Sequence, residues 1–273
     1  MPVTSICSVK RGTVPPATER RRHVSDRTPG TVAPMAIRHD SGIVLRSYAF
    51  GEADRIVVLL SPHNGKLRTV AKGVRKTKSR FGGRLEPFTE VGLVLYEGRN
   101  LDIVTQVEVR SAFPGLRRSL DGLHAASTMA EVVDGVAQEE ESSVALFDLF
   151  RSGLASLDAG RPPIEVLTAF LLQALGVQGL APSLRMCASC GTSDHLDRFS
   201  VASGGIVCGD CRPEGSVRLR QGLVPLLAGL ADADLATIDP VDSDLIRDAM
   251  WLTRRFVEFH LDRRLLSLVV GES

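Results

Sequence analysis

SGIVLRSYAFGEADRIVVLLSPHNGKLRTVAKGV, residues 41–74, decides the fold class of this chain. Three runs rich in Val, Ile, Leu, Tyr and Thr are parted by GEA and HNG, which supply Gly and Asn where a hairpin turn needs a positive φ. Downstream, TEVGLVLYEG (89–98) and LDIVTQVEV (101–109) repeat the habit across GRN, so five strands are predicted between Ile37 and Ala112. One connection, the segment after Gly73, is much longer than the others. That pattern predicts a small, partly open OB-type (oligonucleotide-binding) barrel over 37–112, with an SH3-like barrel as the rival.

After Phe113-Pro114 the apolar period changes. LRRSLDGLHAASTMAEVVDGVA (116–137) sets Leu116, Leu120, Leu123, Met129, Val132, Val133 and Val136 at three- and four-residue steps, which predicts a helix. The stretches 142–158 and 163–179 read the same way, the latter opened by Pro162-Pro163, where a missing N–H costs nothing. Two more helices are predicted, one at about 220–231 and one from Asp242 through Trp251, Phe256 and Phe259 to about Leu266. The fold class is therefore α+β and multidomain: an OB-fold barrel, then an α-helical domain (113–273) interrupted by a cysteine segment (185–213).

Residues 1–36 mix Pro, Thr, Ser and Arg with almost no periodic apolar residues and read as a disordered tail. Met35 stands directly before the first patterned segment and is a second possible start of translation. No run approaches the ~18 apolar residues of a membrane span, and the first residues lack a signal-peptide core, so a cytoplasmic protein without a membrane partner is expected. The net charge of +1 conceals a division. Residues 37–112 carry thirteen basic against eight acidic side chains and the tail six against two, leaving everything after residue 112 acidic. A polyanion partner is therefore expected in the first half.

Four of the five cysteines fall in CASCGTSDHLDRFSVASGGIVCGDC, residues 187–211. Cys187 and Cys190 form one C-x-x-C pair and Cys208 and Cys211 another, with seventeen residues between them. Such spacing lets two sulfurs of each pair face one ion and returns the chain to close a tetrahedron. Structural Zn²⁺ is the expected cofactor, with iron as the competitor. His195 is the nearby substitute ligand, although an exposed loop histidine is the simpler reading. Four protein ligands leave no open position for water, and no βαβ pattern supports a redox role.

The long connection reads GKLRTVAKGVRKTKSRFGGRLEPF, residues 65–88. Lys66, Arg68, Lys72, Arg75, Lys76, Lys78, Arg80 and Arg84 follow one another with no carboxylate before Glu86, which suits phosphate contacts of little sequence preference. Phe81 either stacks on a base or packs beneath the loop. Enzymatic signatures do not appear: there is no G-x-x-x-x-G-K-[ST] and no H-E-x-x-H, and QEEES (138–142) reads as a polar loop or helix-end charge. The chain is not expected to be an enzyme.

The order of barrel, helices, four-cysteine knuckle and helices resembles the bacterial DNA repair protein RecO family. The strings that carry the likeness are VAKGVRKTKSRFGGRLEPFTEVGLVLYEGRNLDIVTQVEV (70–109), CASC and CGDC, and FVEFHLDRRLLS (256–267). The likeness spans nearly everything after residue 36; the long tail departs from the family's usual short start. It implies a recombination mediator at the nucleoid that binds single- and double-stranded DNA and anneals complementary strands. It further implies contact with the acidic C-terminal tail of single-strand-binding protein, work with RecR, and, indirectly, loading of RecA. Some family members lack a full cysteine set, whereas this chain has all four. The alternative is a zinc-containing nucleic-acid-binding adaptor whose helical domain recruits protein partners without annealing.

Overall fold

β1 (Ile37–Phe50) is long enough to serve two neighbours. Its second half, Ile43–Phe50, pairs antiparallel with β2 (Asp54–Ser61), and its first half, Ile37–Ile43, pairs with β4 (Glu90–Tyr96). β3 (Gly65–Ala71) adds to β2, and β5 (Asp102–Ser111) joins β4 to β3, the last pairing being parallel. The order β1-β2-β3-β5-β4 closes into a barrel of OB topology. The sequence pattern suggests a partly open barrel; closure follows from the fourteen-residue β1, which reaches both ends of the sheet. Gly42 sits where β1 passes from one partner to the other, and a Cβ there would lie 2.7 Å from the Leu60 carbonyl oxygen. The computed structural model describes residues 36–76, 79 and 81–269. The expected tail lies outside them except for Ala36, whose carbonyl accepts a hydrogen bond from Glu97 N.

β2 explains why barrel and helices hold together. All of Ile56–Ser61 is buried, because alternate side chains face two cores. Val57 and Leu59 point into the barrel with Val44, Leu93, Leu95 and Val104. Ile56, Val58 and Leu60 point outward and join the apolar core of the helices. The segment Leu85–Phe88 divides the same way: Leu85 enters the barrel, while Phe88 packs on the helical side. A bulge between Val44 and Arg46 receives this segment, with hydrogen bonds from Phe88 N to Val44 O (2.8 Å) and Val44 N to Thr89 O (3.0 Å).

The helical part contains α1 (Leu120–Val136), α2 (Val144–Asp158), α3 (Pro163–Val177), α4 (Leu223–Asp232), α5 (Ser243–Leu261) and α6 (Leu266–Val269). Ser119, Ser143 and Asp242 cap α1, α2 and α5 by accepting backbone N–H bonds. α3 packs against α1, α2, α4 and α5, and ten of its residues are buried. α5 stops at Leu261, short of the expected Leu266, because Asp262 takes a left-handed conformation (φ 48°) and ends the helix. The segment between α3 and α4 holds β6 (Leu196–Ser200), β7 (Gly205–Cys208) and β8 (Val217–Arg218), a three-stranded sheet of order β7-β6-β8 that the sequence pattern does not announce.

Candidate nucleic-acid interface and metal centre

The basic residues of 66–84 separate into two groups. Lys66 and Arg68, on β3, turn toward the helices. Lys66 Nζ donates to the Asp134 carbonyl oxygen at 2.7 Å, and Asp134 Oδ2 also accepts from Arg46 Nε at 2.9 Å. Arg68 lies 3.8 Å from Glu139 and donates through Nη2 to Tyr48 Oη at 3.3 Å. That hydrogen bond is the largest reason its affinity for the proton rises above the ordinary arginine value. The start of β3 is pinned to the acidic segment before α2: Lys66 N donates to Gln138 O at 2.8 Å. Gly65 permits this approach, since its φ is +60° and a Cβ would lie 2.4 Å from that same oxygen.

Lys72, Arg75, Lys76 and Arg84 are exposed. The loop that carries them is tied to the β1–β2 turn by Arg75 N to Ala53 O (3.0 Å) and Gly73 N to Asp54 Oδ1 (2.8 Å). Lys78 and Arg80 lie outside the described residues. Phe81 corrects one of the two readings left open by the sequence. Its ring is 2% exposed and belongs to the barrel core with Leu85, Val44 and Leu67, so it offers no face for stacking. The apolar ring flanked by Gly82-Gly83 is the loop's anchor, and burial of its surface outweighs the benefit of one base contact.

The cysteine segment gathers its four sulfurs. Those of Cys187, Cys190, Cys208 and Cys211 all lie within 4.8 Å of one another, and none forms a disulfide. A tetrahedral site with metal–sulfur bonds of about 2.3 Å requires sulfurs roughly 3.8 Å apart; Cys190 Sγ and Cys208 Sγ are 3.8 Å apart. The donor set therefore fits a metal ion. The backbone N–H groups of Cys190 and then Cys208 bring the Cys187 thiol down to about 6. Hydrogen bonding to Cys190 and Cys208 pushes Cys211 up to about 12. His195 is exposed and is not one of the four ligands. Phe199 of β6 meets Phe256 of α5 edge to face at 5.7 Å, which seats the knuckle on the helices.

Family models for the recombination protein O N terminal and C terminal match residues 35–113 and 117–268. The chain belongs to the RecO family. It is 44% identical to the DNA repair protein RecO of Nocardioides sp. over 85% of this chain and 98% of that protein. To the DNA repair proteins RecO of Frankia casuarinae and Streptomyces griseus it is 42% and 39% identical, each over 86% of this chain and 98% of the relative. The family's two parts meet this structure at the barrel and at the helices with their knuckle.

Two features of this RecO chain escape the sequence. One is a cavity of about 580 Å³ between α1, α3 and α5, walled by Leu167, Met250 and Trp251 with Arg247 and Arg254 beside them. The helical period sets Trp251 on the apolar side of its helix, yet it is 47% exposed. Its signal is the arginines four before and three and four after it, which make that face mixed rather than apolar. The other is the pair of exposed rings Tyr48 and Phe50 on β1. Among the described residues no helix is long and apolar enough to cross a membrane.

Proposed function

We propose that this chain is a recombination mediator without bond-making chemistry. It binds single- and double-stranded DNA through the barrel, anneals complementary strands, and works with RecR to place RecA on DNA coated by single-strand-binding protein. The observation that carries this reading is the exposed row Lys72, Arg75, Lys76 and Arg84 on a barrel loop without a carboxylate between Lys66 and Glu86. Phosphates neutralised there release condensed counterions, which drives binding with little regard to sequence. Annealing needs two polyanions to approach, and a cationic surface lowers their repulsion while leaving base edges free to pair. Such work places the protein in the cytoplasm at the nucleoid.

The four cysteines hold a structural Zn²⁺, whose closed coordination supplies cohesion to the knuckle and no reactive water. The cavity beside Trp251 suits the acidic and apolar end of the single-strand-binding protein tail. Met250 and Leu167 offer apolar contact, while Arg247 and Arg254 supply charge that Asp244 and Glu258 now share. Strand annealing on DNA coated by single-strand-binding protein, with RecR present and absent, tests the whole reading. Faster annealing of coated strands is expected; no acceleration in either condition overturns it.

A further inference from the structure

We infer that Tyr48 and Phe50, on the outer face of β1, form a stacking platform for unpaired bases of single-stranded DNA. The inference rests on the reading of the barrel as the DNA-binding part and adds the aromatic contact that buried Phe81 cannot make. It starts from the bulge between Val44 and Arg46. The bulge resets which residues face outward, so Arg46, Tyr48 and Phe50 come to lie opposite Val58, Ile56 and Asp54 of β2. Ile43 before the bulge and Leu45 within it are covered by the helical core. Beyond it the outward rings are left open, Tyr48 at 37% and Phe50 at 49% exposure.

Cations surround these rings. The Arg46 guanidinium carbon lies 5.4 Å from the centre of the Tyr48 ring, and Arg68 reaches across β2 to donate to the Tyr48 hydroxyl. Together they fix the ring before any ligand arrives, so little side-chain freedom is lost on binding. Phe50 precedes the turn on which the basic loop is tied, and Arg75 Nη1 donates to the Gly51 carbonyl there at 3.4 Å. Aromatic faces are what splayed bases stack on; Arg46 and Arg68, shared with Asp134 and Glu139, hold the Tyr48 ring, and the exposed loop cations Arg75 and Lys76 meet the phosphates. Residues two apart on a strand are roughly 7 Å from each other, about twice the 3.4 Å rise per base in a duplex strand. Each ring therefore takes its own base from an extended strand, whereas a duplex keeps its bases stacked inside.

The test uses the full chain, a labelled oligothymidylate and a labelled duplex of the same length. Tyr48→Leu and Phe50→Leu keep an apolar cover over Ile56, so the protein remains folded, as a thermal melt checks. The ratio of single-strand to duplex affinity should fall about fivefold or more for the double variant, with the salt dependence of binding retained. Tyr48→Phe, which keeps the ring and removes the hydroxyl, should restore most of the ratio. An unchanged ratio in the folded double variant overturns the platform. If Lys76→Glu with Arg84→Glu still abolishes binding in that case, the barrel reading stands and only the platform falls. If the unaltered chain binds neither probe, the barrel reading itself fails.

Discussion

The basic loop of 72–89 leaves the barrel between two strands and the knuckle of 187–211 leaves the helical domain between two helices, and the two are held differently. The loop sinks two apolar side chains, Phe81 and Leu85, into the barrel and leaves its described cations in solvent. The knuckle buries Phe199 and Ile206 in the helical core, and its other end closes around a minor core of Cys187, Val207 and Cys208, where its four sulfurs gather. A loop anchored by hydrophobic burial can present any charge on its outer side without loss of structure. A sulfur cluster that holds the proposed ion cannot lose a ligand and keep the shape of that end of the knuckle. The first arrangement suits a binding surface; the second suits a structural joint.

Changes to the knuckle should therefore be the most damaging to stability. Cys187→Ala or Cys208→Ala is expected to reduce bound zinc from about one ion per chain to none and to lower the melting temperature on the order of 10 °C. Metal analysis beside a thermal melt checks this, and a stable, fully loaded variant would contradict it. Phe81→Ala comes next, at about 3 kcal/mol or somewhat more, because it empties space inside the barrel. Denaturant unfolding measures that cost. Phe81→Leu sharpens the comparison: it should keep most of the stability and the DNA affinity. A stable Leu variant that no longer bound DNA would return Phe81 to the interface.

Lys66→Met should cost less, about 1–2 kcal/mol, since Asp134 keeps Arg46 but is deprived of the cation that neutralises its more enclosed oxygen. Its DNA affinity should change less than that of any exposed loop cation. Smallest in stability are Lys76→Glu and Arg84→Glu, which are expected within about 0.5 kcal/mol of the unaltered chain.

Much of this is legible in the sequence for a physical reason. Strand period, hairpin residues and C-x-x-C spacing are local signals, so five strands, five long helices and a four-sulfur cluster follow from them. Closure of the barrel and the two-sided burial of β2 depend on contacts across the chain and leave only a run of apolar residues, IVVLL, as their trace. Lys66 and Arg68 look like their neighbours in composition, and only Asp134 and Glu139, some seventy residues on, set them apart. Phe81 is ambiguous in sequence because a ring beside glycines suits either an anchor or an exposed stack.

The central claim is that the exposed loop cations, and not the cations turned against the helices, carry DNA binding. The direct measurement is single-strand affinity across a series of salt concentrations for Lys76→Glu with Arg84→Glu, set against Lys66→Met. The loop variant should bind at least about tenfold more weakly, with a salt slope reduced by about 0.7 for each phosphate that it no longer neutralises, while Lys66→Met keeps the original slope. An unchanged slope in the loop variant, or an equal weakening in Lys66→Met, would contradict it.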